Sequence, residues 1–171
     1  RLTEKKGYQI AQQVCKELGK RLIVAGPGEF SGYGEYVGVV GPEERARLMG
    51  HAKAVFVPTL YVAPFEGVHI EAMLCGTPVI TTDFGVFSET VRSGYSGSRC
   101  STYLDFIEAT NLFDQGLEDI EYGYIAEEAR FEYSTGHVAH SYDTYFRKLL
   151  TLYGKGWYDK KKREEAPQAT L

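Results

Sequence analysis

Residues 58–82 read PTLYVAPFEGVHIEAMLCGTPVITT. The segment leaves a short apolar run at 54–57, passes two carboxylates, Glu66 and Glu71, set around Gly67, and turns at Cys75-Gly76-Thr77-Pro78 into a second apolar run at 78–81. Both runs are short and rich in β-branched residues, the pattern of parallel strands covered on both faces rather than of a half-exposed strand. Between them, residues 67–75 read as a helix closed by Gly76, a residue suited to the left-handed turn that ends helices. Strand, helix, turn and strand in that order form a βαβ unit.

Working outward, the same alternation recurs. Residues 21–25 and 36–40 are further strand candidates, the first ending at the turn Gly26-Pro27-Gly28. Ile10, Ala11, Val14, Cys15 and Leu18 recur at helical spacing and stop at Gly19. Pro42 opens a helix through residue 49, with Glu43 and Glu44 in the first turn, where carboxylates suit the helix dipole. Further helices are predicted over 87–92, 103–113, 124–133 and 137–153. Strands alternating with helices imply an α/β, Rossmann-like, doubly wound parallel sheet flanked by helices. The reading gives one domain over 1–153, followed by a polar charged tail, 154–171, expected to be flexible because of its Lys160–Glu165 charge run.

Composition narrows the function classes. The chain has 171 residues, 43 % hydrophobic and 25 % charged, an ordinary globular balance. A net charge of −4 argues against a nucleic-acid partner, which usually calls for a basic excess. No apolar run approaches the roughly 18 residues of a membrane span. Cys15, Cys75 and Cys100 share no metal-ligand spacing, and three cysteines read as reduced thiols, giving an expectation of cytoplasmic location. The chain begins at Arg1 without a methionine and is read as a processed chain or a fragment.

In an open α/β sheet, ligands bind beyond the carboxyl ends of the strands, where helix N-termini point. The helix starting near Gly67 therefore offers free N–H groups to an anion, and Gly67 allows close approach to the backbone. Glu71, one turn further on, is placed to accept two ribose hydroxyls if it is largely buried. Equally, it can be an ordinary carboxylate favouring the dipole. His137 and His140 lack a third metal ligand, His69 is read as facing or flanking the pocket, and Tyr122, Tyr124, Phe131 and Tyr133 as core or contact aromatics.

The run EAMLCGTPVITTDFGVFSETV from Glu71 resembles the nucleotide-binding core of the GT-B glycosyltransferases, in particular the retaining group 1 family. Gly85 to Glu89 is similar to the family's Gly-x-x-x-Glu segment, Gly94-Tyr95-Ser96-Gly97 to its Gly-x-x-Gly turn, and the opening RLTEKKG to its Arg-Leu-x-x-x-Lys-Gly. The likeness runs through Gly26 and the 38–40 strand to about residue 153. It implies the C-terminal, donor-binding half of a GT-B enzyme, preceded by a strand ahead of Arg1 and by an N-terminal acceptor-binding domain. The expected partners are a nucleoside-diphosphate sugar as donor substrate and a glycan or other acceptor, with no metal or other cofactor.

Carried over by resemblance, Arg1 and Lys6 bind the pyrophosphate and stabilise charge during transfer. Gly26, the backbone at Val40, Gly67 and Val68 line the nucleotide, and Glu71 holds the ribose. One departure stands out. The family's Glu-x7-Glu motif puts an acid eight residues before Glu71, where this chain has Ala63, and related members read EPFGGV where this chain reads APFEGV. An acid is thus lost at 63 and gained at 66. Glu66 either reaches the donor sugar by another path, as a catalytic residue, or weakens diphosphate binding by repulsion. The alternative function is a non-catalytic nucleotide-sugar binding or scaffold module.

Overall fold

The computed structural model describes residues 2–116 and 122–154. Arg1 and the tail from residue 155 lie outside them. Two compact units are present, one ending at Arg130 and the other beginning at Phe131.

The first unit opens with a 3-10 turn, Glu4–Lys6, and then alternates: α1 (Tyr8–Glu17), β1 (Ile23–Val24), β2 (Glu35–Tyr36), α2 (Pro42–Gly50), β3 (Val55–Val57), α3 (Gly67–Leu74), β4 (Val79–Thr82), α4 (Phe87–Thr90), β5 (Gly97–Cys100) and α5 (Tyr103–Gln115). Helix α6 (Tyr122–Tyr133) follows, and α7 (Thr135–Gly154) makes up most of the described second unit. Every strand pair is parallel. β1 pairs with β2, and β4 lies between β3 and β5. The α/β class with parallel sheets flanked by helices is therefore as the pattern implied, but the strands form two ladders, with none among the described residues bonding β1 to β3.

Burial explains the ladder that matters for the site. All four residues of β4 are buried, as a central parallel strand requires, and Val79 and Ile80 are wholly inaccessible. Helix α3 covers β3 and β4 with Ile70, Ala72 and Met73, while α1 and α5 lie against each other and against strands of the same sheet. Phe87 and Phe113 fill the space around the ladder. The Cys-Gly-Thr-Pro turn is locked by Gly76 at φ 79 and by Thr77, whose Oγ1 donates to the Met49 carbonyl at 2.7 Å. Helix α5 starts on a capping box between Thr102 and Asp105.

Three expectations need correction. The 36–40 strand is only Glu35–Tyr36, because Gly38 adopts φ 75 and breaks the extended run. Gly97 is not simply the end of a turn; it begins β5. That strand reads Gly-Ser-Arg-Cys and has no apolar run to announce it, but the missing side chain at Gly97 lets β5 approach β4 closely. Tyr124 and Phe131 are exposed rather than core. In the second unit, Phe131 and His137 rings are 4.9 Å apart, and Tyr142 stacks on Phe146.

A Cβ at Gly97 would lie 2.2 Å from the Val79 carbonyl oxygen. Gly97→Ala should therefore push β5 away from β4 and destabilise the first unit by about 1–3 kcal/mol, the range for overpacking. The midpoint of urea unfolding reads it, and an unchanged midpoint would contradict the close approach.

Candidate functional site

The carboxyl ends of β1 and β3 are tied together by the N-terminal segment. Leu2 N–H donates to the Pro27 carbonyl at 2.9 Å, and Leu60 N–H donates to the Lys5 carbonyl at 2.8 Å. Gly7, at φ 64, is required here, since a Cβ on it would sit 2.0 Å from the Pro58 carbonyl oxygen. This docking carries Lys6 to the loop that follows β3.

Lys6 Nζ there bonds Glu66 Oε1 and donates to Tyr61 Oη at 2.8 Å, lying 5.0 Å from the Tyr61 ring centre. The same Glu66 oxygen accepts from Tyr61 Oη at 3.0 Å and Thr59 Oγ1 at 3.3 Å. Glu66 is 8 % exposed. Burial alone would raise its pKa, but the hydrogen bonds from Lys6 and Tyr61 and the lysine charge hold it below the ordinary carboxylate value. Burial likewise opposes the charge on Lys6, and its bonds to Glu66 and Tyr61 raise its pKa nonetheless. Both groups are thus charged at neutral pH, and Glu66 is compensated by a cation rather than standing free beside an anion site.

Glu66 is also the N-cap residue of α3, yet its side chain makes no capping hydrogen bond because it is turned to Lys6. The first-turn N–H groups of α3 are left without a side-chain cap. A Cβ at Gly67 would meet nothing within 4 Å, so open space lies over that helix start. Val68 follows, 41 % exposed.

Glu71 sits one turn along and is not the largely buried acid expected. Its side chain is 41 % exposed and is held by Arg45 of α2, with Arg45 Nε 2.8 Å from Oε2 and an Nη2 to Oε1 bond of 3.2 Å. The reason is its place on α3. His69, Ile70, Ala72 and Met73 take the core side, leaving Glu71 to the α2 side. Gly26 and Val40 lie past β1 and β2, where Gly26 N–H donates to the Gly38 carbonyl at 2.8 Å. Ala63 is 1 % exposed, and its backbone is pressed by Gly85, whose added Cβ would lie 2.9 Å from the Ala63 oxygen.

The structure thus brings Lys6, Glu66 and the Gly67–Val68 helix start together, and adds Arg45, Tyr61 and Thr59. Arg45 was hidden in a run of charges, EERAR, where nothing marks one arginine over another. His69 lies on the buried side of α3. It is fully buried, with Nε2 2.8 Å from Thr90 Oγ1 and its ring edge-on to Phe87. Among the described residues no group of three or more His, Cys, Asp or Glu is placed to hold a metal ion, and no helix is long and apolar enough to cross a membrane.

The parallel α/β layout thus places an uncapped helix start, with a lysine beside it, beyond the strand ends. The chain belongs to the family described as glycosyl transferases group 1, whose model matches residues 1–111. An uncharacterized glycosyltransferase of Methanocaldococcus jannaschii is 28 % identical over 114 residues, covering 57 % of this chain and 29 % of that protein. Among solved structures, AviGT4, a glycosyltransferase involved in avilamycin A biosynthesis, aligns with a TM-score of 0.69 at 25 % identity, over 87 % of this chain and 49 % of its own. Anabaena HepE, solved with UDP and glucose, aligns with a TM-score of 0.71 at 19 % identity, over 86 % of this chain and 46 % of its own. The chain therefore spans less than half the length of these relatives.

Burial lowers the His69 pKa from 6.5 to about 4, against the pull of the Glu66 backbone and charge. The imidazole is neutral in the fold, so between pH 6.5 and about 4 the unfolded chain binds more protons and stability falls as pH drops. The full loss is about 3 kcal/mol. Measured as urea midpoint against pH, this slope should flatten over that window in His69→Leu; an equally steep slope would show that His69 is not its source.

Proposed function

We propose that this chain is the donor-binding, C-terminal part of a retaining glycosyltransferase that binds a nucleoside-diphosphate sugar and passes the sugar to a glycan or other acceptor held by an N-terminal domain. One observation carries the reading: Lys6 stands beside the uncapped start of α3, across open space at Gly67. Helix N–H groups and a fixed ammonium together favour a diphosphate. The UDP and glucose held by HepE, a protein of the same fold, support the same donor class.

An ammonium has three N–H donors, and Lys6 uses two of them on Glu66 and Tyr61. The third is available to a phosphate oxygen, which makes Lys6 a bridge between a fixed carboxylate and a bound diphosphate. As the glycosidic C–O bond breaks, negative charge grows on the leaving diphosphate, and cations already in place stabilise it without reorganising. Arg1 supplies the second cation in this reading. Retention follows from attack on the same face, assisted by the leaving phosphate. Gly26 and Val40 take the base side, Gly67 and Val68 the phosphates, and Glu71 the ribose. No metal is required in this scheme.

The second reading, a binding or scaffold module without catalysis, draws on Ala63. With an alanine there and Glu66 committed to Lys6, the acid that resemblance places against the donor sugar has no direct substitute. Sugar transfer or donor hydrolysis by the longest form of the protein separates the two readings.

Calorimetric titration with uridine, guanosine and adenosine diphosphates and their monophosphates tests the donor class. The matching diphosphate should bind about tenfold more tightly than its monophosphate, as expected for a charge-assisted hydrogen bond of about 1.5 kcal/mol, and Lys6→Met should erase the difference. Equal affinities in the parent would sink the diphosphate assignment. Glu66→Gln keeps an acceptor for Lys6 and Tyr61 but removes a negative charge beside the anion, so diphosphate affinity should rise about fivefold. A fall instead would mean that the Glu66 charge is needed to hold Lys6 in position.

A further inference from the structure

The sequence EERAR in α2 holds two arginines with different fates. Arg47 folds back on its own helix, its Nε and Nη2 donating to the two Glu44 carboxylate oxygens at 2.7 and 2.6 Å. That leaves Arg45 without a partner on α2, and it crosses to α3 to grip Glu71. Both guanidinium contacts go to different oxygens of one carboxylate, the fork arrangement that fixes the plane of an acid as well as its position.

We infer that Arg45 is a positioning residue for nucleotide recognition, and that ribose is read by the Arg45–Glu71 pair as a unit. This rests on the reading of Glu71 as the ribose acceptor. A carboxylate oxygen has two lone-pair sites, so a fork that takes one on each oxygen leaves one on each. The remaining two lie on the outer edges of the carboxylate, where one can accept a ribose hydroxyl while the guanidinium stays in place. A glutamate on a half-exposed helix face would otherwise sample several rotamers and lose that freedom on binding. Arg45 removes most of this cost in advance, which is how preorganisation raises affinity. It also neutralises Glu71, so that the acid does not repel the diphosphate one helical turn away.

Stability alone does not account for the contact. The two side chains are 40 % and 41 % exposed, and ion pairs at such exposure add little to folding. The pair therefore predicts an effect on ligand choice with little effect on melting.

The experiment compares a ribonucleoside diphosphate with its 2′,3′-dideoxy counterpart, using the parent chain, Arg45→Met, Arg45→Lys, Glu71→Gln and the double variant Arg45→Met with Glu71→Gln. The parent should prefer the ribonucleotide. Arg45→Met should cut that preference about five- to tenfold, because the ribonucleotide loses affinity well beyond the smaller loss, from unscreened Glu71, that both nucleotides share. Arg45→Lys, which restores charge but not the fork, should recover only part of it, and it serves alone should Arg45→Met not fold. The double variant should lose no more preference than Glu71→Gln, because both changes disable one unit. If Glu71→Gln abolishes the preference while both Arg45 variants keep it, Arg45 is a bystander and the ribose role of Glu71 stands. If the Arg45 variants gain preference, Arg45 competes with the ribose and the inference is overturned. Undiminished preference in Glu71→Gln, or none in the parent, removes the ribose role itself and this inference with it.

Discussion

A carboxylate as enclosed as Glu66 must be given a cation, and the nearest one is supplied from sixty residues away in the chain. To deliver Lys6, the opening segment is laid across the ends of β1 and β3 by two backbone hydrogen bonds and a glycine pressed against the Pro58 carbonyl. Tyr61 and Thr59 then complete the shell of the acid from the loop after β3. Because Glu66 spends its side chain on Lys6, it cannot cap the helix it begins. The same interaction therefore anchors the loop, orients a lysine and leaves the α3 start open.

Helix α3 shows how one short element serves two neighbours. Its core side buries His69 against Phe87 and Ile70 and Met73 over the sheet, so its axis is set by apolar packing. With that axis fixed, Glu71 faces α2, within reach of Arg45. A polar pair between helices is thus positioned by residues that take no part in it.

Much of this was legible in residues 58–82. The apolar runs of β3 and β4, the glycine after α3 and the proline opening α2 each have a local physical cause, and each element lies within a few residues of its expected place. What escaped was non-local. β5, read only as the end of a turn, carries a serine and an arginine with no apolar run, and its close approach to β4 is permitted by the missing side chain at Gly97. The exposure of Glu71 depends on how α3 sits against α2, and the choice between Arg45 and Arg47 depends on Glu44 having taken one of them. Lys6 and Glu66 were each singled out from the sequence. Their pairing was not, because it joins segments sixty residues apart.

The Lys6–Glu66 contact also bears on how substitutions in this loop combine. The resembling pattern has an acid at 63 and a glycine at 66; this chain has the reverse charge arrangement, with alanine at the enclosed position 63. Passing between them by single substitutions means crossing a chain with no acid in the loop, which leaves the lysine unpaired, or one with two acids three residues apart. Positions 63 and 66 lie three residues apart in one loop, so the effects of substitutions at the two are not expected to add.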